Sequence, residues 1–258
     1  MTTAIHDTLR DIFGYREFRG HQQAAIEAAM DRRDSLVVMP TGGGKSLCYQ
    51  IPALLRDGTG LVVSPLIALM QDQVSALHEV GVDADFLNSS QTPEAQRNVI
   101  ARLQNGTLKL LYVAPERLAL SQTRAQLGRA RLSIIAIDEA HCVSQWGHDF
   151  RQEYLTLNEL GRLFPGVPRM ALTATATSKT RAEIVDGLAL NDPDIFVAPF
   201  DRPNIRYLVQ PRTDAKRQLL KFLQAHRNAA GIVYCLSRKK TESTAEWLAA
   251  EGYRALAY

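Results

Sequence analysis

Ser35-Leu-Val-Val-Met-Pro-Thr-Gly-Gly-Gly-Lys-Ser46 decides the fold: a short apolar run, a glycine-rich turn, then Lys-Ser opening a helical pattern. A strand buried on both faces of a parallel sheet reads as such an apolar run. Glycines in the turn that follows let backbone N–H groups approach phosphates, and the helix N-terminus adds its partial positive charge. The strict pattern G-x-x-x-x-G-K-[ST] is not met, because Met39 occupies the first glycine position. The remainder is intact. Thr41, Gly42, Gly43 and Gly44 form the cradle, Lys45 reaches toward β- and γ-phosphates, and the Ser46 hydroxyl is a ligand for Mg²⁺. The bland alternative is a strand-to-helix turn that binds nothing.

Working outward, Ser133-Ile-Ile-Ala-Ile-Asp-Glu-Ala-His141 repeats the design with a different cargo. An apolar strand ends in two carboxylates, at the edge where ligands of open α/β sheets bind. Asp138 is placed to hold the metal and Glu139 to polarise an attacking water, the two tasks a nucleoside triphosphatase needs beside its phosphate loop. Adjacent carboxylates are often only a solvated pair, and His141 alone reads equally as a satisfied core histidine. The two motifs together, each on a strand end, point to an enzyme that hydrolyses ATP with Mg²⁺.

Between and beyond them, apolar strands alternate with amphipathic helices, the signature of βαβ units and an α/β fold. The strands expected are Ser35–Met39, Gly60–Ser64, Asp83–Leu87, Lys109–Val113, Ser133–Asp138, Arg169–Leu172 and Asp194–Ala198. Leu66–Val80 reads as a helix closed by Gly81. Thr92 caps another, with Pro93 at its first position and Asn105-Gly106 at its end, and Ser178 is expected to cap Lys179–Leu190. Residues 1–198 thus form one unit. A linker is expected over Pro199–Asn204, with two prolines and little apolar content. The rhythm then restarts over residues 205–258, with strands Ile205–Gln210, Gly231–Leu236 and Arg254–Tyr258 and helices Thr213–His226 and Arg238–Glu251. This second unit reads as incomplete.

Composition narrows the class. The chain has 258 residues, 46% of them hydrophobic, and carries a net charge of +3. That charge permits an anionic partner without demanding one. No apolar run is long enough for a bilayer, so no membrane association is expected. Cys48, Cys142 and Cys235 are far apart with no C-x-x-C pair, which predicts buried packing, a reducing cytoplasmic setting and no zinc site.

After the acid pair the sequence continues Cys142-Val-Ser-Gln-Trp-Gly-His-Asp-Phe-Arg151, and ahead of the loop stands Phe13-Gly-Tyr-Arg-Glu-Phe-Arg-Gly-His-Gln22. With these, the chain resembles the RecQ family of superfamily-two DNA helicases, in which Met at the first loop position is normal. The resemblance implies RecA-like parallel sheets with helices on both faces and ATP held between two lobes. It also implies 3′-to-5′ movement on single-stranded or partially duplex DNA, in repair and recombination. It implies that Tyr15, Arg19 and Gln22 recognise adenine, an aromatic face stacking the base and an amide pairing its edge. Ser64 and Pro65, in Ser64-Pro-Leu-Ile-Ala-Leu69, and Arg117, in Ala114-Pro-Glu-Arg117, stand in motifs that contact the DNA strand. Gln145 lies near the water and γ-phosphate, while Trp146, Phe150 and Arg151 belong to an aromatic-rich DNA-sensing loop. His141, Thr173 and Thr175 couple nucleotide state to lobe movement.

Ile232-Val-Tyr-Cys-Leu-Ser-Arg238 matches the first motif of the family's second lobe, but nothing here corresponds to the later ones or to the arginines that face ATP. The expectation is therefore a fragment that binds ATP and DNA without unwinding by itself. One rival is a nucleotide-responsive DNA-binding module with no helicase activity. The other, a small-molecule kinase, has no use for a base-stacking loop.

Overall fold

The computed structural model describes residues 2–144, 150–199, 205–227 and 229–258. The chain divides into two compact units, Met1–Asp201 and Arg202–Tyr258. Of the expected linker, residues 200–204 lie outside the described residues.

The first unit is built on strands β1 (Ser35–Val38), β2 (Thr59–Val63), β3 (Ala84–Leu87), β4 (Leu110–Val113), β5 (Leu132–Ile137), β6 (Arg169–Thr173) and β7 (Asp194–Val197). All seven stand where the apolar runs predict them. They form one parallel sheet in the order β3-β4-β2-β5-β6-β1-β7. The central strands β1, β2, β4, β5 and β6 are buried along their whole length, as a sheet covered on both faces requires.

The principal helices of this unit are α1 (Thr2–Asp11), α2 (Gln22–Met30), α3 (Lys45–Leu55), α4 (Ile67–Glu79), α5 (Pro93–Gln104), α6 (Pro115–Leu118), α7 (Ser121–Leu127), α8 (Leu160–Leu163) and α9 (Ser178–Gly187). Thr92 Oγ1 accepts the Ala95 N–H at 3.3 Å to cap α5, and Gly81 closes α4 at φ 75°. The cap of α9 lies one residue before the expected Ser178: Thr177 accepts from Thr180 N at 3.2 Å. Both hydroxyls suit a cap, and the chain turns helical at Ser178, leaving Thr177 as the extended residue. One close approach fixes α3 on the sheet. A Cβ at Gly60 would lie 2.6 Å from the Ala53 Cβ, so β2 needs glycine there.

At the N-terminal ends of the strands a buried ion pair ties three elements together. Asp34 accepts the Arg169 N–H and the Asn191 N–H, both at 2.8 Å, and pairs with the Arg169 guanidinium. Arg169 also donates to Leu188 O at 3.1 Å. No helix among the described residues is long and apolar enough to cross a membrane. Cys48 and Cys142 are buried as expected, whereas Cys235, in the second unit, is only half-buried.

The second unit contains α10 (Ala215–Ala225), capped by Asp214, and α11 (Arg238–Ala250), capped by Ser237. Lys216 Nζ lies 5.0 Å from the Trp247 ring and joins the two helices. The strands expected over Ile205–Gln210, Gly231–Leu236 and Arg254–Tyr258 are not formed; these stretches are irregular, and Val209, Tyr234 and Leu236 are exposed. A strand exists only through the backbone of a neighbour. None of the three pairs with another among the described residues, so apolar alternation alone does not make them strands.

Candidate functional site

The sheet order brings the expected site together. β5, β6 and β1 are adjacent, and their C-terminal ends lead into Asp138-Glu139, Thr173–Thr175 and the Thr41–Ser46 loop. The ladder runs on into these ends: Met39 N donates to Thr173 O at 3.1 Å and Asp138 N to Val63 O at 2.8 Å.

The loop has the backbone its glycines predict. Gly42 and Gly44 sit at φ 79° and 76°, the left-handed region that glycine enters without penalty. Gly44 caps α3, and a Cβ on it would come within 2.3 Å of the Gln22 side-chain nitrogen. Gln22 itself is buried and holds the loop. Its amide donates to Gly43 O at 3.2 Å and Gly44 O at 3.1 Å, while its oxygen accepts the Arg19 N–H at 2.8 Å. Tyr15, Glu17, Arg19 and Gln22 line one cleft together with Gly42, Gly43, Gly44 and Leu47. Tyr15 and Arg19 are exposed on it, Tyr15 by 51%. The segment expected to read adenine and the loop expected to hold phosphate thus share one wall. A wider concavity along α5, lined by Asp85, Gln91, Asn98 and Arg102, contains none of the expected site residues.

Lys45 Nζ donates to Met39 O at 3.0 Å, which folds the ammonium back over the loop. Asp138 feels that charge, but burial dominates, with the neighbouring Glu139 carboxylate next, and together they push its carboxyl up to about 6. Glu139 lies at φ 48°, ψ 42°, a left-handed conformation uncommon outside glycine and enriched at functional sites. It turns the chain off β5 toward the edge. His141 Nδ1 is 3.3 Å from Glu139 Oε2 and 3.0 Å from Thr173 Oγ1. Thr173 Oγ1 in turn accepts the Thr175 N–H at 3.3 Å. A continuous polar chain runs from Glu139 through His141 and Thr173 to Thr175.

Residues expected to contact a nucleic-acid strand follow β2 and β4, in the other half of the same edge. Arg117 donates to Gln96 Oε1 at 2.8 Å, and Arg151 reaches Pro65 O at 3.4 Å and Glu116 at 3.9 Å. Phe150 is 39% exposed. The Ser64 hydroxyl differs from expectation: Ser64 is buried and Pro65 half-buried, and Leu66 and Ile67 are the exposed residues of that turn. Ser64 N is committed to Val113 O, which draws it into the sheet. Gln145 and Trp146 lie outside the described residues.

The structure adds residues with no sequence signal. Tyr154 is fully buried and donates to Asp138 O at 2.8 Å, pinning the C-terminal end of β5. Ser144 donates to the Glu183 carboxylate on α9. Asn88, after β3, is buried with Oδ1 accepting from Ser90 N at 2.9 Å. A lone Tyr, Ser or Asn in mixed surroundings carries no motif.

Comparison with known proteins places this geometry. The DEAD/DEAH box helicase family model matches residues 19–184. The chain is 50% identical over 252 residues to the ATP-dependent DNA helicase RecQ of Pasteurella multocida, and 50% identical over 250 residues to that of Haemophilus influenzae. These alignments cover 98% and 97% of this chain and 40% of each relative, so the chain spans about two-fifths of their length. The ATP-dependent DNA helicase Q1 of Rattus norvegicus is 40% identical over 98% of this chain and 43% of its own. Among solved structures, the DUF1998 helicase MrfA superposes with TM-score 0.71 at 21% identity, over 97% of this chain and 41% of its own. The Mycobacterium smegmatis helicase Lhr, bound to ssDNA and AMP-PNP, superposes with TM-score 0.65 at 24% identity, over 95% of this chain and 36% of its own. At such identities the likeness is one of fold: the RecA-like sheet of helicases.

Proposed function

Because this chain belongs to the DEAD/DEAH box helicase family, we propose that it is the ATP-binding part of a RecQ-type DNA helicase, whose first lobe spans residues 1–198. The observation that carries the proposal is the convergence of the loop, the acid pair and Thr173–Thr175 at three adjacent strand ends, joined by His141. Lys45 faces the β- and γ-phosphates of ATP, and the Thr41–Gly44 loop presents backbone N–H groups to them, the Gly43 N–H by leaving Pro40 O. Tyr15, Arg19 and Gln22 hold the adenine; for that, the Gln22 amide exchanges its loop carbonyls for the base edge.

The residues present fit Mg²⁺. Ser46 and Asp138 offer hard oxygen donors, and the Lys45 charge acts on Asp138 across the same space. When bound, the cation neutralises phosphate charge. Glu139 orients the attacking water and takes up its proton, and His141 holds the Glu139 carboxylate in register with Thr173. Gln145 is assigned to the same water, and Thr175 passes the change outward. Pro65, Arg117, Phe150 and Arg151, with Trp146, track single-stranded or partially duplex DNA. Contacts of this kind to phosphate and base faces carry no sequence information, which suits movement along any strand. From this reading we infer a setting inside the cell, in DNA repair and recombination.

A fluorescent single-stranded oligonucleotide titrated at two salt concentrations tests the DNA reading. Binding is expected to weaken with salt, and Arg117→Ala to lower affinity about three- to tenfold for any sequence while flattening the salt dependence. Salt-independent binding, or an unchanged Arg117→Ala variant, contradicts it.

A further inference from the structure

Gln96, on α5, belongs to no motif, yet its half-buried side-chain amide is used at both ends. Its Nε2 donates to Gln91 O at 3.2 Å and lies 3.5 Å from Asn88 O, both in the turn that follows β3. Its Oε1 accepts from Arg117 Nη2 at 2.8 Å, on α6 after β4. The turn it leans on is itself firmly built. Asn88 is buried, and its Oδ1 accepts from Ser90 N at 2.9 Å and from Ser90 Oγ at 2.7 Å. Beside it, Ala114 N donates to Leu87 O at 3.1 Å, continuing the β3–β4 ladder to the start of α6.

The two carbonyls fix which way the amide points. Only its NH₂ can donate to them, so the oxygen is the end left for the guanidinium. A guanidinium is a planar fork, and holding one of its nitrogens narrows the directions the others can take. Arg117 Nε is buried with no partner among the described residues. An unpaired buried donor is destabilising, and an arginine placed for the fold alone would have that donor satisfied. The arrangement instead has a gain on binding: an arginine already held when an anion arrives loses less rotamer freedom in gripping it.

We propose that Gln96 is a positioning residue for nucleic acid, which holds the Arg117 guanidinium in advance for a phosphodiester oxygen of the strand. The inference rests on the proposed contact of Arg117 with DNA. Gln96 touches no phosphate; it acts through Arg117. Without it the guanidinium wanders among rotamers and makes its phosphate contact only part of the time. Gln96 is neutral and displaces no counterion itself, so an effect of its removal on salt dependence comes through the Arg117 charge.

The test is a double-mutant cycle of Gln96→Ala and Arg117→Ala, read by titrating a fluorescent single-stranded oligonucleotide with the chain as it stands at several salt concentrations. Gln96→Ala is expected to weaken binding about two- to fivefold, less than Arg117→Ala, and to flatten the salt dependence although it removes no charge. In the Arg117→Ala background it is expected to change neither. Gln96→Met keeps the length of the side chain and loses the amide; it is expected to behave as Gln96→Ala and decides the matter if the alanine variant does not fold. Equal losses in the two backgrounds, or a loss that leaves the salt dependence unchanged, show that Gln96 serves the fold only and overturn the inference. Unaltered binding by Gln96→Ala overturns it as well. An Arg117→Ala variant that binds like the unaltered chain overturns the DNA reading of Arg117 instead.

Discussion

Asp138 is held in two minds by its surroundings. Burial and the Glu139 carboxylate push its carboxyl up to about 6, while Lys45 and His141 pull it down. An unfolded aspartate titrates near 3.9. Between those values the folded protein binds the extra proton, so stability contributed by this group falls as pH rises from about 4 to about 6 and stays low above. Charge at Asp138 at neutral pH thus costs stability, a cost that fits the proposed role in holding Mg²⁺. Asp138→Asn is expected to raise the melting temperature of the nucleotide-free protein at pH 7.5, by an amount equivalent to ~1–3 kcal/mol. At pH 5, midway through that window, the folded carboxyl is protonated but the unfolded one is not, so the gain should fall to about half of its value at pH 7.5. A thermal scan at both values decides it; destabilisation at pH 7.5 shows that Asp138 is a structural anchor.

At the scale of elements, the sheet rests on a pair far from the chemistry. Asp34 and Arg169 are each 7% exposed and join the start of β1 to β6 and to the turn before β7. Breaking a buried pair by removing one partner strands the other charge, at a cost of about 3–5 kcal/mol. Arg169→Leu should therefore lower stability by about that amount in urea unfolding, with nucleotide affinity preserved under conditions where the protein stays folded. A loss below about 1 kcal/mol contradicts the buried pairing.

The same elements show what the sequence makes legible. Ser35–Val38 and Leu132–Ile137 were readable because strands buried on both faces must be continuously apolar, and the motifs at their ends were readable because phosphate and metal demand particular atoms. The order of the strands, the Asp34–Arg169 pair and the grip of Tyr154 on Asp138 were not, since each depends on residues distant in sequence meeting in space. The stretches around Val209 and Tyr234 have the same apolar alternation as true strands, but local pattern cannot supply the neighbouring backbone that a strand requires.

At the scale of the molecule, the proposed function divides one sheet edge between two jobs: groups for a nucleoside triphosphate at the ends of β5, β6 and β1, and strand contacts at those of β2 and β4, where Arg117 stands and Arg151 lies beside Pro65. The Glu139–His141–Thr173 chain crosses between neighbouring strand ends, and on the proposed function it is the path by which nucleotide state is passed along the sheet. All of this depends on ATP·Mg²⁺ binding at the Thr41–Ser46 loop. Calorimetric titration of a non-hydrolysable ATP analogue with Mg²⁺ into wild type and Lys45→Ala tests it most directly. The account predicts saturable binding by wild type and at least about tenfold weaker binding by Lys45→Ala, since a charge-assisted contact to phosphate is worth about 1.5–3 kcal/mol, with an unchanged melting temperature. Equal affinity in the two proteins would contradict it.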